Sequence, residues 1–439
     1  MKDTLKNIQN KINQSSLYEL NGRVVEVTQT LIKAEVPQVK IGEICLLRNT
    51  GSTETLPAEV VGFIESTVLL APIGDLSGIS AFTEVIRTNE PLSMDVGFDL
   101  LGCVLDGLGK VIDSGGRKSL SFTERLPLTS SPPDPLTRDL VEQPLSTGIR
   151  AVDGMLTIGE GQRVGVFSGA GVGKSTLLSM FVRNTEVDII VVALIGERGK
   201  EVRDFIDTSL DEESRKKAIL VIATSDKSSI ERIKAAQTAT TVAEYFRSQG
   251  KKVLLMMDSL TRYARALREV GIARGESPVS RGYPPSVLTE LPKLVERAGQ
   301  SNAGSITAIY TVLVEGDDMS DPIADEVRSL LDGHIILSRD LANASHYPAI
   351  DVLKSVSRVM NSVVTPEHIQ SANKIRGLLS EYKEIEFLVK VGEYQKGTNS
   401  EADEALDKHD AINHFLKQVF TEKPSFNEAL EAMHDLASR

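Results

Sequence analysis

The stretch RVGVFSGAGVGKSTLLSMFVRN, residues 163–184, constrains the fold of this chain more than any other. RVGVFS lacks polar alternation, as a strand buried on both faces does. STLLSMFVRN reads as an amphipathic helix. Between them stand three glycines and then Lys174-Ser175-Thr176, the strand–loop–helix setting of the phosphate-binding pattern G-x-x-x-x-G-K-[ST]. Gly169, Gly171 and Gly173, with Ala170 and Val172 between them, let the backbone fold tightly with its N–H groups inward. That makes an anion nest at the positive end of a helix. Lys174 is placed to reach the β- and γ-phosphates of ATP, Ser175 to ligate Mg2+, and Thr176 continues the motif into the helix. One position departs from the pattern: Ser168 stands where the first glycine belongs. That position contributes mainly backbone shape, so a small residue is expected to serve there.

Four further apolar runs, DIIVVALI, AILVIAT, VLLMMD and ITAIYTVLVE, alternate with helical stretches across residues 89–365. This is how βαβ units of a parallel sheet read, so the segment is expected to form an α/β ATPase domain. Two of the runs end in chemistry. Val253–Met257 lead into Asp258, a carboxylate at a strand's carboxyl end beside the phosphate loop, where a Mg2+ water shell needs charge. VVALIG leads into Glu197-Arg198. There Glu197 can polarise a water for in-line attack on the γ-phosphate, although a Glu-Arg pair at a strand end also reads as a surface ion pair. Arg198 is a candidate to hold the phosphate or transmit its presence.

Residues 17–88 carry short β-rich runs (GRVVEV, LIKAEV, GEICLLR, AEVVGF, TVLLAP) separated by Gly, Pro, Asn and Thr, which predicts a small β-barrel. No aromatic series interleaves with basic residues there, so a structural barrel is expected rather than a single-strand-binding one. The net charge of −12 argues in the same direction, because phosphate neutralisation needs a Lys/Arg excess; no nucleic-acid partner is expected. Residues 366–439 read as a C-terminal helical domain, opened by Thr365-Pro366 as N-cap and first helical residue. Ser425–Glu428 forms a capping box before the last helix. Residues 1–16 space Leu5, Ile8 and Ile12 helically beside Lys2, Lys6 and Lys11; they are either a segment docking a partner or membrane surface, or a frayed tail. With 41% apolar residues a large core can form. The two cysteines, Cys45 and Cys103, stand apart without metal-ligand spacing, and no stretch of 18 apolar residues occurs. A reducing, cytosolic setting is expected.

GAGVGKS, ALIGERGKEVRDF, LLMMDSLTRYARALRE, GYPPSVLTELPKLVERAG, DPIADEVRSLLDGHIILSRDLA and HYPAIDVLKSVSRVM together resemble the catalytic subunits of rotary ATPases. They look closest to the ATPases of type III secretion systems, and next to those of flagellar protein export. The resemblance runs from the barrel to the tail. It implies a RecA-like core and a homohexameric ring with ATP sites between subunits. It also implies central-stalk and stator partners, chaperone–substrate complexes, and a place at the cytoplasmic face of the inner membrane. It further implies that Arg358 of SVSR is an arginine finger entering the neighbouring subunit's site, and that Tyr347 of HYPAID stacks on adenine. In GESPVSRGYPPSV the chain departs from the family at Ser277 and Val279-Ser280, in a loop expected to face the pore. A non-catalytic nucleotide-binding ring subunit is disfavoured by Glu197, and an RNA translocase by the barrel and the acidic charge.

Overall fold

The computed structural model describes residues 21–28, 30–49, 51–279, 281–314, 319 and 321–438. The expected docking segment 1–16 lies outside the described residues. The first six strands are β1 (Gly22–Val27), β2 (Ile32–Glu35), β3 (Glu43–Arg48), β4 (Thr55–Ile64), β5 (Thr67–Pro72) and β6 (Glu84–Pro91). They close into a barrel of order β1-β2-β5-β4-β3-β6. Alternate residues point inward, as the period of two requires: Ile32 and Ala34, Cys45 and Leu47, Ala58 and Val60, Val68 and Leu70 fill it. Five of these strands are the β-rich runs of the sequence. The sixth, polar along much of its length, crosses residue 88 and closes the barrel by pairing with both β1 and β3.

β7 (Ser93–Val96) pairs with β10 (Glu124–Pro127), while β8 (Val104–Asp106) and β9 (Val111–Asp113) join the large sheet. The remaining strands are β11 (Arg163–Ser168), β12 (Ile189–Ile195), β13 (Ala218–Ala223), β14 (Lys252–Asp258), β15 (Gly299–Gln300), β16 (Ser305–Leu313), β17 (Gly333–Ile336) and β18 (Val356–Ser357). The sheet runs β18-β17-β11-β16-β14-β12-β13-β8-β9, with β15 beside β16. β17, β11, β16, β14, β12, β13 and β8 are parallel. The five apolar runs of the sequence are β11, β12, β13, β14 and β16. All seven residues of β12 are buried, because helices cover both faces. β8 and β17 are too short to show in the hydrophobic pattern.

Helices Pro366–Val391, Ser400–Leu416 and Phe426–Ser438 form the C-terminal layer. Thr365 caps the first through the His368 N–H, and Ser425 and Glu428 make the reciprocal capping box of the last. This layer packs on the helix Arg150–Met155 at Gly154, where a Cβ would lie 3.0 Å from Phe415 Cζ. The close approach also lets the His368 ring pair with the Gly154 carbonyl at 2.8 Å. It brings residues 415–422 against the end of the phosphate-loop helix.

Candidate active site

The phosphate loop leaves β11 between two neighbours that fix its origin. The Val314 N–H donates to the Ser168 carbonyl on one side, and the Leu337 N–H to the Phe167 carbonyl on the other. Ser168 is the last residue of the strand and keeps extended backbone, so it needs no glycine. Its Oγ is buried and has no hydrogen-bond partner among the described residues. The left-handed turns fall instead on Gly171 (φ +77°) and Gly173 (φ +90°), where glycine costs least. Gly173 precedes the helix Lys174–Asn184, and among the described residues no side chain caps that helix. Its first N–H groups therefore face the loop's concavity, free to bind an anion. Gly169 and Val172 are buried in the loop, while Ala170, Ser175 and Thr176 are exposed. Arg339 Nη1 donates to the Ala170 carbonyl at 3.3 Å.

Four charged side chains converge at the carboxyl ends of β12 and β14. Lys174 Nζ donates to Asp258 Oδ1 at 2.5 Å and lies 3.9 Å from Glu197 Oε1. Asp258 Oδ1 also accepts from Thr311 Oγ1 on β16 at 2.7 Å. Arg262, one turn beyond Asp258, brackets the Glu197 carboxylate: Nε is 3.1 Å from Oε1 and Nη2 is 3.3 Å from Oε2. Gly196 makes room for it, since a Cβ there would meet Arg262 Cδ at 2.8 Å. Burial, together with the Glu201 carboxyl and the Asp258 charge, pushes Glu197 up to about 7, against the pull of Lys174 and Arg262. Arg198 stands apart, exposed, 3.7 Å from Glu201.

Beside the loop opens a cavity of about 1000 Å³ lined by Thr176, Met180, Tyr347, Pro348, Phe415 and Phe420 among others. The Tyr347 ring lies so close to the loop that a Cβ on Gly173 would be 3.1 Å from its Cε1. The Gln418 N–H donates to the Tyr347 carbonyl at 2.9 Å, tying the C-terminal layer to this wall. A cavity that combines apolar side chains with polar ones such as Arg150, His414 and Gln418, next to an anion nest, suits the base and ribose of a nucleotide.

Arg358 is in none of this. It is exposed, and its N–H donates to the carbonyl of Asp332 at the amino end of β17. The phosphate loop leaves the carboxyl end of neighbouring β11, about 17 Å away along six strand residues. The structure thus brings together Lys174, Glu197, Asp258, the loop and Tyr347, and it leaves Arg198 and Arg358 outside that cluster. Sequence reading missed Arg262, Thr311, Phe415 and Phe420. Thr311 was signalled only by being a hydroxyl inside an apolar strand, and Arg262 by its spacing of four from Asp258.

Residues 21–89 match the beta-barrel domain of the ATP synthase alpha/beta family, 148–357 its nucleotide-binding domain, and 364–435 the T3SS EscN ATPase C-terminal domain. The chain is 53% identical over 412 residues to a type 3 secretion system ATPase of Xanthomonas euvesicatoria, covering 94% of this chain and 93% of that protein. It is 45% identical over 426 residues to the flagellum-specific ATP synthase of Bacillus subtilis, covering 97% of each. The assembled ATPase EscN of the enteropathogenic E. coli type III secretion system superposes with a TM-score of 0.90 at 46% identity, covering 95% of this chain and all of that one. EscN has also been solved in complex with its central stalk EscO. With identity of this order along nearly the whole length, the chain belongs to the type III secretion system ATPases, nucleotide-binding, ATP-hydrolysing enzymes of the ATP synthase alpha/beta family.

Proposed function

We propose that this chain hydrolyses ATP to ADP and phosphate in a homohexameric ring, and that the cycle energises type III protein secretion, releasing exported proteins from their chaperones and unfolding some of them. The observation that carries the reading is the convergence of the phosphate loop, Lys174, Asp258 and the Glu197–Arg262 pair beside the cavity walled by Tyr347, Phe415 and Phe420.

In this reading the phosphates rest on the N–H groups of the loop, and Lys174 exchanges Asp258 for phosphate oxygens. Tyr347 stacks on adenine. The residues fit Mg2+: the Ser175 hydroxyl and the Asp258 carboxylate are hard oxygen donors at the mouth of the anion nest, and a nucleotide-borne Mg2+ takes only one or two protein oxygens. When bound, Mg2+ neutralises charge that develops on the phosphate oxygens. Glu197, oriented by Arg262, aligns a water and takes its proton as the new oxygen–phosphorus bond forms and the bond to the ADP oxygen breaks. Arg198 transmits the presence of phosphate from the surface side. Arg358 works across the ring, on charge developing in the adjacent subunit's site.

The barrel (17–88), ATPase core (89–365) and helical domain (366–439) then act as three units. Residues 1–16 dock a stator-type regulator or the inner membrane's cytoplasmic face, and a central stalk sits in the pore. Among the described residues no helix is long and apolar enough to cross a membrane. Export through a flagellar apparatus is the second reading, supported by the Bacillus subtilis relative; neighbouring genes for needle or for flagellar components separate the two.

Glu197→Gln tests the chemistry, because the amide is nearly isosteric but cannot take a proton. It is expected to bind nucleotide normally and lose turnover, whereas Lys174→Ala loses both. Near-normal turnover in Glu197→Gln would overturn the assignment.

A further inference from the structure

Arg358 follows a strand of only two residues. Among the described residues β18 pairs with no strand but β17, through Gly333↔Ser357 and His334↔Val356. So short an edge strand holds its next residue loosely unless side chains hold it too. Here they do. The wholly buried Gln162 donates from Nε2 to the Asp332 carbonyl at 3.0 Å and to Ser357 Oγ at 3.3 Å, while its Oε1 accepts from the Gly159 N–H at 2.8 Å. Ser357 Oγ donates onward to the Thr157 carbonyl at 2.8 Å. The Asp332 carbonyl that receives Gln162 also receives the Arg358 N–H, at 2.9 Å. Asp332 is itself fixed by Arg163, whose Nε and Nη2 reach its two carboxylate oxygens at 3.0 and 3.1 Å. The packing is tight: a Cβ on Gly333 would lie 2.7 Å from the Val356 carbonyl oxygen and 3.0 Å from Gln162 Nε2.

We propose that Gln162 and Ser357 are positioning residues for hydrolysis in the adjacent subunit: they hold the backbone of Arg358 so that its guanidinium meets the transferring phosphoryl group. The inference rests on Arg358 being the finger. A charge that acts on a transition state must be held to about 0.5 Å, and a misplacement of about 1 Å costs about a hundredfold in rate. A satisfied buried amide supplies that rigidity. Gln162 belongs to the same strand connection as the phosphate loop, yet it lies at the opposite end of β11. Its loss should therefore spare the chain's own nucleotide site.

The test uses assembled full-length protein with three substitutions. Gln162→Glu keeps the acceptor and replaces the donor with a carboxylate that the Asp332 carbonyl repels. Ser357→Ala removes the second tether at the sheet's edge, where folding is least at risk. Arg358→Ala is the control. For each, kcat, ATP affinity and affinity for the transition-state mimic ADP–fluoroaluminate are measured. Gln162→Glu and Ser357→Ala are expected to lower kcat by about ten- to a hundredfold, with ATP affinity and assembly unchanged and ADP–fluoroaluminate binding weakened in parallel with kcat. Normal kcat in both, with Arg358→Ala inactive, overturns the inference. So does a loss of kcat accompanied in both variants by equal loss of ATP affinity or of assembly, which is the mark of a purely structural role. An active Arg358→Ala removes the finger assignment itself, and the inference with it.

Discussion

Glu197 must be ionised to take a proton from water, yet its surroundings favour the neutral form: burial first, then the Glu201 carboxyl and the Asp258 charge, which together raise it from an ordinary 4.5 to about 7. The Glu201 carboxyl is pulled the opposite way, chiefly by the same contact. Activity that needs ionised Glu197 is lost as pH falls through about 7. The acid limb of kcat/KM, which reports the free enzyme, should lie in that range. Glu201→Gln removes one cause of the rise, so its limb should move to lower pH. The γ-phosphate of ATP titrates alike for both proteins, so comparing the two limbs isolates the side chain; superimposable limbs would sink the idea. Asp258 depends on a neighbour as well. Thr311 Oγ1 donates to its Oδ1 at 2.7 Å, a bond that does not involve Lys174. Outer-shell partners of this kind are worth about 10- to 100-fold in metal affinity. Thr311→Val, close in shape but without the hydroxyl, should raise the Mg2+ concentration needed for tight nucleotide binding, with Mg2+-free binding unchanged. A fluorescent-nucleotide titration across Mg2+ concentrations checks this, and Thr311→Ser should restore it.

Among the elements, the helix Arg150–Met155 joins the core to the C-terminal layer. It can do so because Gly154 lets Phe415 and Met433 approach, with a Cβ placed 3.0 Å from Phe415 Cζ and 3.3 Å from Met433 Sδ. Arg150 secures the same contact, donating from Nε to the Phe415 carbonyl at 3.0 Å and pairing with Glu422 at 2.8 Å. Phe415 and Phe420 also line the cavity beside the phosphate loop. Gly154→Val should therefore have two effects: a stability loss of about 1–3 kcal/mol from overpacking, and weaker nucleotide binding from a displaced cavity wall. Thermal unfolding and nucleotide affinity measured together test the link. A protein that loses stability but binds nucleotide normally would separate the C-terminal layer from the site.

For the whole molecule, the decisive geometry is that the loop leaves the carboxyl end of β11, whereas Arg358 is held beside the amino end of the neighbouring β17 and is exposed. One chain cannot complete its own transition state if Arg358 is required. Specific activity should then rise with protein concentration as subunits associate. Mixing Lys174→Ala with Arg358→Ala subunits should restore partial activity, since some interfaces pair an intact loop with an intact finger. Flat specific activity across the assembly range, with no recovery on mixing, would show that each subunit acts alone.

The sequence by itself determined what short stretches of chain dictate. The phosphate loop, the five apolar strands, the helix caps at Thr365 and Ser425, and Asp258 and Glu197 at strand ends are all local, because each depends on residues within one turn or one strand. Tertiary structure decided which of these meet. Arg262 reaches Glu197 across 65 positions and Thr311 reaches Asp258 across 53. Tyr347 lies on Gly173, and residues 415–422 close the cavity. Apart from the four-residue spacing of Arg262 from Asp258, none of this is written in spacing. The sheet places β11 between β17 and β16, and β14 between β16 and β12, out of chain order. Neighbours across a sheet are chosen by which buried faces and crossover helices pack together, a property of the whole core and not of any one segment.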